Sequence, residues 1–413
     1  VTGGSTSLPP MRILALNIRA TQGGAGRMAY DLHQRLGAAG HRPRLLYGYG
    51  SGIAPDPQAL AEPEVEMIGS RPVVLANFAT HLLGGGELVT AGAALIRGAA
   101  AEADVIHLHA VHHWYVRWGG LARMLRDSGK PVVITAHDWW LLTGRCGFVR
   151  DCSGWTRRCG ECGNRRFEDL PTLLDRSAAV RRARHRALRM LGERLTIVCP
   201  SHHLARDHAR IFPDLEVVCV PNALDLGFEA ALGPPLATTD RRGHLFCASD
   251  LGAPGKIDPG LVRALAAEPG VTVGLIGRGN PFRDTAAVEH GEVRSRAALA
   301  TLYGGARGLL FPSRMDNAPL TIIEALSAGC YVLAYPSSAA REMLALVGGR
   351  CVQSAAEALA LVRSGREAML YGGMPPAELA RRARQIWSGA AMLDAYLRVY
   401  ARALRPAVAQ AAA

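Results

Sequence analysis

Asp316 and Glu324 are two carboxylates eight positions apart in the run Pro-Ser-Arg-Met-Asp-Asn-Ala-Pro-Leu-Thr-Ile-Ile-Glu-Ala-Leu-Ser-Ala-Gly, residues 312–329. The apolar stretch Gly308–Phe311 just before it reads as a buried strand. Pro319 suits the first turn of a helix, where its missing N–H costs nothing, and Gly329 suits the stop. The loop between them therefore lies at the carboxyl end of a strand and at a helix N-terminus. Unpaired backbone N–H groups there favour an anion such as a phosphate. Glu324, more than a turn inside the helix, is placed to accept hydrogen bonds from sugar hydroxyls. A phosphate-binding loop beside a hydroxyl-binding acid is the chemistry of a sugar nucleotide. A carboxylate pair alone would read as a solvated acid before a sheet-flanking helix.

Placing these groups takes a sheet. Apolar runs at Met11–Asn17, Pro43–Tyr47, Val105–His109, Pro131–Ala136 and Leu195–Cys199 read as strands, with helical stretches between them. A second set follows at His244–Ala248, Val271–Ile276, Gly308–Phe311 and Tyr331–Tyr335. Between the sets, from Pro221 to Arg242, the chain is rich in Gly, Pro and Thr, shows no clear periodicity and reads as a linker. Alternating strands and helices predict α/β architecture: parallel sheets covered on both faces, in two Rossmann-like, doubly wound domains with a central cleft. Ligands of such sheets sit beyond the carboxyl ends of the strands. That rule gathers Gly23-Gly24-Ala25-Gly26, His107, His109, His137 and Asp138 from the first half. From the second it gathers Ser249–Lys256, Gly277-Arg278-Gly279 and Asp316–Glu324. The glycines do not follow G-x-G-x-x-G, and no acid closes the second strand, which argues against NAD.

The run 312–329 resembles the acid-x7-Glu motif of family 4 retaining glycosyltransferases, which have the GT-B fold. Many members carry Glu at the first acid; here it is Asp316, one carbon shorter. The string Thr-Ala-His-Asp at 135–138 resembles the family's Thr-x-His-Asp site. The resemblance implies hexose transfer from a nucleoside-diphosphate sugar, a GDP- or UDP-hexose, to a carbohydrate, lipid-linked or natural-product acceptor. It makes His137, Asp316 and Lys256 the catalytic set. It assigns Gly23, Gly24, Gly26, Lys256, Arg278, Asp316, Asn317, Ala318, Pro319, Leu320 and Glu324 to the donor, with Glu324 on the ribose. His109 and Asp138 fall on the acceptor side. Lys256 resembles the family's diphosphate-binding base; an Arg often stands beside it, but here Gly255 does, and Arg278 is the substitute. The resemblance also implies domains at 11–222 on the acceptor side and 223–385 for the nucleotide sugar. A C-terminal helix, 386–413, would return to the first domain. With no enzyme nucleophile evident, retention implies a front-side mechanism. With no Asp-x-Asp motif, transfer is expected to need no catalytic metal.

Nine cysteines occur, and four cluster as C-x5-C-x6-C-x2-C: Cys146, Cys152, Cys159 and Cys162. The C-x2-C turn could supply two of four zinc ligands. In a reducing compartment a structural zinc ranks ahead of disulfides or free thiols. Residues 141–164 resemble an insert of the exopolysaccharide and colanic-acid branch of family 4, where they would shape the acceptor side. The stretch 176–194 carries Arg181, Arg182, Arg184, Arg186 and Arg189. A solvated helix face is its ordinary reading; an anionic membrane surface or a lipid diphosphate is the functional one.

At 413 residues the chain can form two cored domains. The net charge of +12 suits an anionic partner, although nearly all of it is arginine, as a GC-rich genome alone would give. The only lysines are Lys130 and Lys256. A nucleic-acid-binding protein is the competing class, but the arginines are scattered and no recognition module is visible. A GT-B relative that binds sugar nucleotides without transferring them is the third reading. No run of about 18 apolar residues suggests a membrane span. Residues 1–10 lack the pattern of a secretory signal, so a cytoplasmic location is expected, peripheral to the inner membrane face if the acceptor is lipid-linked.

Overall fold

The computed structural model describes residues 9–149, 152–163 and 172–405. The backbone divides into two compact units, Val1–Val220 with Leu393–Ala413, and Pro221–Met392.

In the first unit the described strands are β1 (Arg12–Asn17), β2 (Arg42–Tyr47), β3 (Val65–Met67), β4 (Val105–Leu108), β5 (Val132–Thr135), β6 (Leu195–Cys199) and β7 (Glu216–Cys219). They form one sheet in the order β3-β2-β1-β4-β5-β6-β7, every neighbouring pair parallel. Chain order reverses between β1 and β4. The central strands are buried on both faces, which is why they read as unbroken apolar runs rather than alternating ones.

The second unit repeats the scheme with β8 (His244–Asp250), β9 (Val273–Arg278), β10 (Val288–Gly291), β11 (Gly308–Phe311) and β12 (Tyr331–Ala334). Its order is β10-β9-β8-β11-β12, again all parallel, with the reversal between β8 and β11.

The three strands that hydrophobic runs did not announce, β3, β7 and β10, all lie at sheet edges. An edge strand buries less side chain, and β10 is exposed along most of its length. The stretch 221–242 is not wholly irregular: Asp225 caps a short helix, Leu226–Ala231, by accepting from the Phe228 amide at 2.8 Å. The C-terminal segment forms two helices, Pro376–Ile386 and Gly389–Ala403, broken at buried Trp387. The glycines 23–26 do not precede the first helix but form its first turn, Gly23–Ala38.

Candidate functional site

In the second unit the reversal between β8 and β11 brings two loops together. After β8 the chain turns through Gly255, at φ +79°, to Lys256, and Asp258 then caps helix Pro259–Ala266. After β11 it runs through Ser313 and Asp316 to helix Leu320–Ser327. Lys256 Nζ donates to Asp316 Oδ1 at 2.7 Å. Ser313 Oγ donates to the other oxygen, Oδ2, at 2.5 Å. Both charged side chains remain about a quarter exposed, so the pair is open to a ligand.

Pro319 stands one place ahead of its expected position, as the N-cap of helix Leu320–Ser327 at ψ 120°. The first amides of that helix therefore lack intrahelical partners. Gly329 ends the helix at φ +76°, and a Cβ there would lie 2.7 Å from Arg241 Nη2. Asn222 Nδ2 holds the loop by donating to Ala318 O at 3.1 Å. Glu324 is buried, with Oε1 3.3 Å from Arg296 Nη1, and the same nitrogen lies 3.7 Å from Asp225. Arg296 opens helix Arg296–Gly305 and had no sequence signal as a site residue; nor had Ser313. Arg278, at the end of β9, turns to Ser249 O at 3.3 Å and stays two-thirds exposed.

In the first unit the reversal lies between β1 and β4, and Asn17 spans it. This fully buried side chain donates to Arg19 O at 2.9 Å and Ala25 O at 3.3 Å, and accepts from the Ala110 amide at 3.0 Å. It ties the glycine turn to the loop after β4. A polar residue ending an apolar strand was the available clue. At Gly26 a Cβ would meet the 19–21 turn at 3.3 Å, so the first helical turn folds closely over that loop.

His109 and His137 end neighbouring strands, with His109 Nδ1 3.2 Å from His137 Nε2. Burial pushes the His137 ring down to about 4, against the opposing pull of Asp138, so it is neutral at physiological pH. Burial alone would raise Asp138; the His112 ring and the Trp140 amide, which donates at 2.7 Å, hold it below the usual carboxylate range. Asp138 borders a cavity of about 210 Å³ with Glu87, His112, Trp114, Trp140 and Arg184. His113 and Trp114 adopt left-handed backbone, φ +67° and +65°, a strained conformation for bulky residues.

Helix Ser177–Arg189 departs from a solvated face. Arg181 is buried and donates to Leu142 O, Trp155 O and Arg157 O at 2.8–3.1 Å. Arg184 is buried over the Trp140 ring and donates to Trp140 O and to Thr143 O. Both arginines hold backbone that has no regular ladder, and Arg182, Arg186 and Arg189 stay exposed.

The four clustered cysteines do not form the expected zinc set. None of the four is in a disulfide, Cys146 is buried and Cys152 exposed, and no group of three or more His, Cys, Asp or Glu able to hold an ion forms among the described residues. The knuckle is organised otherwise: Asp175 accepts from the Cys162 amide at 2.6 Å and Ser177 from the Gly160 amide at 3.0 Å. The Gly144 amide reaches the Cys159 thiol.

Residues 22–228 match the model of Glycosyltransferase Family 4. Over 405 residues the chain is 32% identical to the colanic acid biosynthesis glycosyl transferase WcaC of Escherichia coli K12, covering 94% of this chain and 99% of that one. The chain belongs to glycosyltransferase family 4. Solved structures share the fold. Anabaena HepE in complex with UDP-glucose superposes with a TM-score of 0.61 at 14% identity, covering 95% of this chain and all of that one. The Thermosynechococcus elongatus sucrose-phosphate synthase gives 0.61 at 15% identity, over 95% and 98%. The family 4 chain is thus a GT-B glycosyltransferase with two Rossmann-like units.

Proposed function

We propose that this family 4 glycosyltransferase moves a hexose from a nucleoside-diphosphate sugar to a glycan or lipid-linked acceptor, with retention and without a catalytic metal, in polysaccharide biosynthesis. The observation that carries the reading is the Lys256–Asp316 pair, 2.7 Å apart at the β8/β11 reversal beside the N-terminus of helix Leu320–Ser327. A cation and unpaired amides suit a diphosphate, and Glu324 suits the ribose hydroxyls. HepE has been solved with UDP-glucose, which favours a UDP-hexose, with a GDP-hexose as the other candidate donor, and WcaC is named for colanic acid, which favours a polysaccharide pathway.

In this reading the C1–oxygen bond to the diphosphate breaks while the acceptor oxygen bonds C1 on the same face. The acceptor proton passes to the departing phosphate oxygen. Lys256, Arg278 and the helix amides stabilise the charge that grows on the leaving group. Gly23, Gly24 and Gly26 let backbone approach the donor. Asp316 holds the sugar, and neutral His137 serves the reacting centre as a hydrogen-bonding group. The cavity beside Asp138 is assigned to the acceptor. A lipid-linked acceptor would bring the protein to an anionic membrane face, with Arg182, Arg186 and Arg189 as exposed cations of helix Ser177–Arg189.

A thermal-shift panel of GDP-, UDP- and dTDP-sugars tests donor binding. The donor should raise the melting temperature of wild type and H137A but not of E324A, and H137A should fail to transfer. Anomeric configuration of the product, read by NMR, tests retention. A product of inverted configuration, or turnover abolished by EDTA and restored by Mg²⁺, refutes the mechanism.

A further inference from the structure

A continuous line of buried polar side chains runs inward from His137 within the first unit. His109 stacks on His137 and lies against His107, ring centroids 5.5 and 4.1 Å apart. Both nitrogens of His107 are occupied: Nδ1 by the Tyr400 hydroxyl and Nε2 by Thr135 Oγ1, each at 2.8 Å. Thr135 Oγ1 also lies 2.9 Å from the Tyr396 hydroxyl. Tyr396 and Tyr400 are one turn apart on helix Gly389–Ala403, so a single helix face anchors the line. His107, His109 and Tyr400 are all at most 4% exposed.

The hydrogen bonds decide where the protons sit. Burial, reinforced by the neighbouring rings, holds His107 down to about 3 and His109 well below its ordinary value. Neutral imidazole has one N–H and one bare nitrogen. His109 Nε2 is buried and makes no hydrogen bond among the described residues. An N–H stranded there would carry the full desolvation cost of an unmet donor, whereas the proton on Nδ1 finds an acceptor 3.2 Å away. His109 therefore donates to His137 Nε2. With Nε2 accepting, the proton of His137 belongs on Nδ1.

We propose that His109 is a positioning residue that fixes His137 as its Nδ1–H tautomer, and that His107, Thr135, Tyr396 and Tyr400 hold the His109 ring in place. The proposal rests on the reading of His137 as the reaction-side ring. It gives the last helix a part in transfer without any contact to substrate. It also moves His109 from the acceptor to the support of His137.

The test is imidazole ¹⁵N NMR on the full chain, together with kinetics. Turnover is read as UDP release from UDP-glucose or GDP release from GDP-mannose, whichever the wild-type protein turns over. In wild type, His137 should show a protonated Nδ1 and a bare Nε2. H109F keeps a ring but no N–H; it should give mixed His137 tautomers and a kcat lower by about 10- to 100-fold, with donor KM within about two-fold. H109Q, which retains an N–H donor, should recover part of the loss, and Y400F should lower kcat several-fold. A wild-type His137 protonated on Nε2, or H109F with unchanged tautomer and kcat, overturns the proposal even while H137A is inactive. Full turnover by H137A overturns the role of His137 itself, and with it the link from tautomer to transfer.

Discussion

Replacing Lys256 by alanine separates a phosphate-binding cation from an ordinary surface ion pair. The pair is short, 2.7 Å, but each side chain is about a quarter exposed. Pairs of that kind contribute roughly 0.2–1 kcal/mol to folding. Asp316 keeps its Ser313 hydrogen bond when the lysine is gone, so the loss belongs near the low end. For a unit of this size that is a melting shift of about 1 °C or less. Donor binding should suffer more. A charge-assisted hydrogen bond to a diphosphate contributes about 1.5–3 kcal/mol, so K256A should bind the donor roughly 10- to 100-fold more weakly. Calorimetric titration with the bare nucleoside diphosphate and with its sugar measures this directly. D316N supplies the opposite case. It removes the charge that competes with phosphate for Lys256, so the bare diphosphate should bind at least as well as to wild type while transfer falls. If K256A binds the donor within two-fold of wild type, Lys256 is not a phosphate ligand. If D316N weakens the diphosphate as much as K256A does, the pair only shapes the loop.

R181A strands the buried carbonyls of Leu142 and Trp155 and should cost about 2–4 kcal/mol of stability, whereas R182A on the exposed face should stay within about 0.5; denaturant unfolding compares them, and equal effects refute the anchoring role. Acid should destabilise the first unit. His107, His137 and His208, with native values of about 3, 4 and 4 against 6.5 unfolded, remain neutral in the fold while the unfolded chain takes up protons. Each contributes stability that is complete above pH 6.5 and falls by about 1.4 kcal/mol per unit as pH drops toward the native value. A melting transition unchanged between pH 7 and 5 contradicts this. Thiol labelling of native protein should reach exposed Cys152 first and spare Cys146, Cys199, Cys330 and Cys351, with all nine thiols reacting after unfolding. Joint protection of Cys152, Cys159 and Cys162, released by a chelator, would instead restore the zinc reading.

Much of the fold was legible because fully buried parallel strands have a plain signature. β1, β4, β5, β6, β8, β11 and β12 are apolar runs bounded by glycine, proline or polar residues, and the loops after them carry the candidate residues. The edge strands β3, β7 and β10 bury too little to leave that signature. Spacing also located the Lys256 and Asp316 loops, since both follow recognisable strands. It could not find Arg296, whose side chain meets Glu324 from another helix, because an arginine at a helix start looks like any solvated one. The same limit explains helix Ser177–Arg189. Its arginines look alike in sequence, and only tertiary placement decides that Arg181 and Arg184 hold irregular backbone while Arg182 and Arg186 face water.

The cysteine cluster and the histidine line err in opposite directions, and for one reason. Spacing alone favoured a metal at the cysteines, because C-x2-C is a recurrent ligand turn. Yet a ligand turn also needs its own amides arranged around the thiolates, and here Asp175 and Ser177 take them. Of the histidines only His137 lies in a motif; His107 and His109 gave none beyond the strand end, since they alternate along a chain buried on both sides. Their partners, Tyr396 and Tyr400, lie some 290 residues later on a helix whose tyrosines read as apolar packing. A tyrosine at a core position is ambiguous in sequence: its ring fits the apolar stripe whether or not its hydroxyl has a partner. The hydroxyl becomes informative once an imidazole is found 2.8 Å away. That contact ties the C-terminal helix to His107, behind the His109 ring whose own contact with His137 carries the proposed tautomer.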